Sequence, residues 1–188
     1  VIMCQHELVG YFHEDEQFFC NGDVIQLSDG CLALCLQHKH CVRILSQNGE
    51  EVLREIGSIG RGDALFKVPV AAAQLADGNI VVTDCMNRRL QILTPVGGFI
   101  REVLPPTGSF GSPRGVAVLL DGSIAVVDCL RNSVEVFTAD WRHARTMGSA
   151  GSSPLHFRSP RGIAVLEDGN IVVSDTLNHR PQVFTPEG

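Results

Sequence analysis

Aromatic residues are scarce in this chain: its 188 residues include one tryptophan and one tyrosine beside nine phenylalanines. Long apolar runs are absent, none approaching the ~18 residues that a membrane-spanning helix requires, so no membrane partner is expected. The opening stretch, VIMCQHELVG, has neither a charged leading region nor a long apolar segment and does not read as a secretory leader. It does not start with Met, and the chain reads as a piece of a longer one. Positive charge is in the minority, with 15 Lys and Arg against 21 Asp and Glu for a net charge of −6. That balance excludes a globally basic nucleic-acid binder but leaves room for a local basic patch. There is no GxSxG elbow, no phosphate-cradling glycine loop and no HExxH pair. Seven cysteines, an odd number, stand without any CxxC pair. Such scatter points to reduced thiols and a cytoplasmic location.

What is present is repetition. A composition of 44% hydrophobic and 19% charged residues suits a folded domain. Asp-Gly pairs end at Gly30, Gly78, Gly122 and Gly169, spaced 48, 44 and 47 residues apart. Twelve residues before each stands an aromatic: Phe18, Phe66, Phe110 and Phe157. Two landmarks in the same register four times define a real repeat. Inside it, GIAVL (162–166) and NIVVSD (170–175) flank Asp168-Gly169, which predicts a tight hairpin. A polar turn, TLNHR, leads to a third strand, QVFT (182–185), and FIREVL (99–104) shows a more exposed fourth. A four-stranded antiparallel unit of this size cannot bury both faces alone, so the copies must stack. The fold expected is all-β, a β-propeller of four-stranded blades starting near Phe18, Phe66, Phe110 and Phe157. Residues 1–17 read as the tail of a preceding blade or as a closing strand. The first copy is degenerate, with Leu36 where the others have Asp84, Asp128 and Asp175. Pro181, where Leu90 and Val134 stand elsewhere, predicts a third strand that lies at an edge or starts late.

Strand direction sorts charge by face. The lead-ins to the first strands and the turns after the second strands share one end of each blade, and the Asp-Gly hairpins lie at the other. The first face gathers Lys39, Arg61, Lys67, Arg88, Arg89, Arg114, Arg131, Arg158, Arg161 and Arg180 against Asp63, Asp84, Asp128 and Asp175, a surplus of six positive charges. The second carries nine carboxylates and Arg142, an excess of eight negative charges. Lys39, Arg88, Arg89, Arg114, Arg131, Arg161 and Arg180 are therefore the candidate partner-binding residues. Arginine offers a planar fork to phosphate or carboxylate and stacks on unpaired bases. Arg114, Arg161 and Arg180 recur with the repeat and are equally suited to pairing with neighbouring aspartates; Arg88 and Arg89 lack such counterparts. Asp84, Asp128 and Asp175, with Asn87 and Asn178, fit a turn-fixing role. Cys31, Cys35, His38, His40 and Cys41 are zinc ligands by type, but their spacing matches no usual paired arrangement, and no metal or other cofactor is expected.

Asp-x-x-Asn-His-Arg at 175–180 with QVFTPEG behind it, and the lead-in FRSPRGIAV at 157–165, resemble the NHL repeat. The likeness spans residues 18–188 and is most like the C-terminal NHL domain of tripartite-motif ubiquitin ligases. It implies blades of a ring that is commonly six-bladed, and a non-catalytic platform that binds single-stranded RNA or an acidic protein surface. Ligase chemistry would lie elsewhere, because no RING-type Cys/His framework is present. The alternative is a propeller enzyme, a metal-dependent lyase or lactonase-like hydrolase with a central-channel site. A shared catalytic histidine is not visible: His179 has His40, Arg88 and Asn132 as counterparts. Function is expected to depend on what differs between copies, namely Arg88-Arg89, the QHKH turn and Trp141.

Overall fold

The computed structural model describes residues 22–188, so Phe18 and the assignment of residues 1–17 lie outside the described residues. Four antiparallel sheets follow one another along the chain. The first holds β1 (Val24–Gln26), β2 (Leu32–Leu36), β3 (Cys41–Leu45) and β4 (Val52–Ile56). The second holds β5 (Pro69–Gln74), β6 (Ile80–Asp84), β7 (Arg89–Leu93) and β8 (Phe99–Val103). The third holds β9 (Pro113–Val118), β10 (Ile124–Asp128), β11 (Ser133–Phe137) and β12 (His143–Met147). After a short parallel pair, β13 (Ser149–Ala150) and β14 (His156–Phe157), come β15 (Pro160–Val165), β16 (Ile171–Asp175) and β17 (Arg180–Phe184). This is an all-β propeller, and each sheet is a blade whose strands run from the inside outward.

Each hairpin between the first two strands is closed by the same local chemistry. Asp29, Asp77, Asp121 and Asp168 accept the backbone N–H two residues on, at 2.8–3.0 Å. The intervening Gly30, Gly78, Gly122 and Gly169 sit at φ between +82° and +86°, where a side chain would be strained.

Between hairpins, side chains alternate to opposite sheet faces, and the middle strands of each blade feed two different cores. Ile80 and Val82 pack toward the first blade with Cys35, Ile44 and Phe66. Val81, Leu90 and Ile92 pack toward the third blade with Phe110, Val126 and Phe137. Val127, Val134 and Val136 then meet Phe157, Ile171 and Val173 of the fourth. The landmark phenylalanines Phe66, Phe110 and Phe157 have no solvent exposure, and truncation of such a residue removes about 3–5 kcal/mol. Cys35, Cys41, Cys85 and Cys129 are buried among these apolar groups, and burial foremost pushes the Cys41 thiol up to about 11. Pro181 sits in an outermost strand, but that strand does not start late: β17 runs in register with β16 from Arg180.

Candidate functional site: the arginine-rich face

At the end of every second strand except the first blade's, an aspartate gathers the surrounding chain. Asp84 accepts the Lys67 backbone N–H on Oδ1 (2.7 Å). Its Oδ2 accepts Asn87 Nδ2 (2.8 Å), Arg89 Nε (2.9 Å) and Gln91 Nε2 (3.2 Å). Asp175 repeats this with the Arg158 N–H (2.7 Å), Asn178 (2.7 Å), Arg180 (3.2 Å) and Gln182 (3.0 Å). Burial pushes the Asp175 carboxyl up, but these donors outweigh it and hold it below the ordinary carboxylate value. Asp128 accepts the Gly111 and Ser112 N–H groups (2.6 and 2.9 Å), with Arg131 Nε 3.6 Å away. All three aspartates are fully buried, and the bonds from the lead-ins place those lead-ins and the turns on one face.

This arrangement corrects one candidate contact residue. Arg89 is 2% exposed. It donates to Asp84, Glu102 (3.1 Å) and the carbonyls of Gly62 and Leu65 (2.8 and 3.0 Å), so it braces the blade from inside. Arg180 makes the equivalent bonds to Asp175 and the Ser153 carbonyl in the fourth blade, with a third of its side chain exposed. Arg131 is held by Asp128 and by the Thr107 hydroxyl. Arg88 differs: it stands exposed at φ +61° and donates Nε to the Phe110 carbonyl (2.6 Å). In the QHKH turn, His40 accepts the Val68 N–H on Nδ1 (3.0 Å), while His38 and Lys39 are exposed. Trp141 is not on this face. It sits in the β11–β12 hairpin among the acidic loops, half-buried against the second apolar cluster.

With the three aspartates turned inward, the charge this face shows to solvent is mostly positive. Lys39, Arg61, Lys67, Arg88, Arg158 and Arg161 are exposed, and Asp23 and Asp63 are exposed carboxylates on the same face. Between these cations stands an apolar series. Met86, Leu130 and Leu177 are 57%, 71% and 51% exposed. Each lies two residues after the buried aspartate of its blade. The sequence reading passed over them, although the recurrence of a large apolar residue within a polar turn was a visible signal.

Arg114 and Arg161 occupy a different part of the face. They lie at the leading ends of the inner strands β9 and β15 and line a cavity on the concave side of the blades. Asp23 lines it too, from just before β1. Among the described residues, no three His, Cys, Asp or Glu side chains converge as a metal-ligand set.

Residues 157–184 match the family model of the NHL repeat. No curated protein matches the chain in sequence. Solved structures match it in shape. A streptogramin B lyase gives a TM-score of 0.69 at 18% identity, over 89% of this chain and 52% of that one. A putative gluconolactonase gives 0.66 at 16%, over 88% and 60%. The WD40 β-propeller domain of Doa1 gives 0.66 at 14%, over 87% and 50%. The chain thus spans about half the length of the structures it resembles. At such identities the likeness shows the propeller fold and nothing finer.

Proposed function

We propose that this chain is a non-catalytic recognition module whose arginine-rich face docks an acidic protein segment bearing apolar side chains. The observation that carries this reading is the recurrence of exposed Met86, Leu130 and Leu177 among exposed cations in three consecutive blades. Large exposed apolar side chains in register mark an interaction surface, and arginine and methionine are enriched in such interfaces. Charge complementarity selects the occupant: with Asp84, Asp128 and Asp175 buried, exposed cations outnumber the exposed Asp23 and Asp63, and an acidic partner meets a net positive surface. RNA is less favoured, because the exposed series holds no aromatic ring on which bases could stack. The NHL resemblance supports a targeting role within a longer, ubiquitin-ligase-like chain.

The test is selection from a displayed random-peptide library, followed by titration against the variant Met86→Ser/Leu130→Ser/Leu177→Ser. These positions are exposed, so the fold is expected to survive. Selected peptides should combine Asp or Glu with Leu, Met or Phe, and the triple variant should lose them. Selection without acidic enrichment, or binding unchanged in the variant, overturns the reading. Binding of a randomised single-stranded RNA pool that collapses in Arg88→Glu, with no peptide selected, replaces protein by RNA.

A second reading, a propeller enzyme, takes support from the cavity at the inner strands. The lyase and the putative gluconolactonase among its structural likenesses are compatible with it. Lactone hydrolysis, or stoichiometric metal on elemental analysis of the purified chain, would favour that reading over the first.

A further inference from the structure

The cavity goes beyond docking at the exposed rim of turns and does not involve Met86, Leu130 or Leu177. Its volume is about 280 Å³, just below the ~300–1,000 Å³ typical of ligand pockets. Its walls are the leading ends of β5, β9 and β15, with Asp23 before β1. Arg114 and Arg161 hold the same place in consecutive blades, each between a proline and a glycine. Gly115 is what lets the two strands come together: a Cβ there would lie 2.7 Å from the Arg161 carbonyl oxygen. From the other side, the Thr83 hydroxyl donates to the Arg114 carbonyl at 2.8 Å. The two arginines are thus set into one small space by their backbones rather than by side-chain partners.

One head group is left short of a partner. Among the described residues, the Nε of Arg114 is buried and has no hydrogen-bond partner. Leaving a buried donor unpaired costs about 1–3 kcal/mol. An oxyanion at the cavity answers that cost, since each arginine fork can bind carboxylate or phosphate oxygens in its plane. Asp23 is the negative group on the opposite wall, and its Oδ1 accepts the Val24 N–H at 3.0 Å. Desolvation foremost raises its carboxyl above the ordinary value, against the Val24 and Ala72 N–H groups.

We propose that this cavity binds the oxyanion group, carboxylate or phosphate, of a small ligand between Arg114 and Arg161, with Asp23 as a repulsive wall that limits the negative charge admitted. Isothermal titration of the full chain with succinate and, separately, with inorganic phosphate reads the site. Binding of at least one is expected, and the tighter of the two identifies the source of the oxyanion. Arg161→Gln, at an exposed position, should weaken that binding about tenfold. Asp23→Asn should tighten it about threefold, because it removes a charge of the same sign as the ligand. The triple rim variant should leave it unchanged, so failure here and failure of peptide docking are separate results. No binding at millimolar concentration, binding indifferent to Arg161→Gln, or weakening by Asp23→Asn overturns the proposal.

Discussion

The second and fourth blades place the same clamp in different surroundings. Asp84 and Asp175 hold equivalent partners at equivalent distances, yet the Arg89 side chain is 3% exposed and that of Arg180 is 33%. The second blade is packed on both faces, while the outermost described strand of the fourth leaves Val183 59% exposed. The same aspartate clamp therefore carries unequal weight, and in the second blade Arg89 adds an ion pair to Glu102. A buried ion pair is expensive to break because the survivor is stranded without water, whereas a half-exposed pair is partly replaced by solvent.

Three substitutions press on that comparison. Asp84→Asn leaves the Arg89 guanidinium buried opposite a neutral amide and should lower stability by about 3–5 kcal/mol. Urea unfolding measures it, and a loss no larger than that of the fourth-blade variant would erase the distinction. Asp175→Asn should cost less, about 1–2 kcal/mol at neutral pH, since Arg180 can rehydrate. Because the Asp175 carboxyl is held below 3.8, its contribution is complete above that value and is lost as pH falls through the folded-state value. The gap between wild type and Asp175→Asn should accordingly close in acid, and a gap independent of pH would contradict the ionised clamp. Arg88→Asn should change least and in the opposite direction. Arg88 occupies a left-handed backbone position (φ +61°) that the third blade fills with Asn132 (φ +56°), a residue that tolerates it better. A thermal midpoint raised by an increment equivalent to about 0.5 kcal/mol is expected. A lowered midpoint would show that the bond from Arg88 to the Phe110 carbonyl outweighs the backbone strain.

Much of the fold was legible because its determinants are local. Asp-Gly at four places, β-branched runs on either side and a phenylalanine twelve residues ahead specify hairpins and core without reference to distant chain. The site was legible only in part. Strand direction sorted the charges to two faces, but it could not say which charges were consumed inside the blade. Arg89 reaches carbonyls 24 and 27 residues earlier in the chain, and only folding brings those together. One signal was available: Asp, then Arg five and Gln seven residues later, occurs at 84, 89, 91 and again at 175, 180, 182. That recurrence marks Arg89 as part of the repeat rather than as one of its differences. The cavity had no sequence signal of its own, because Asp23, Arg114 and Arg161 meet only where the inner strands converge.

The separation of charge between the two faces makes the molecule a permanent electrical dipole, with the exposed arginines at one pole and the hairpin aspartates at the other. If the proposed acidic partner is the true one, its field would turn the arginine-rich face forward before contact and bias orientation during approach. Dissolved salt shortens the reach of that field to about 8 Å at physiological ionic strength, so alignment is won only over the last fraction of a molecular diameter.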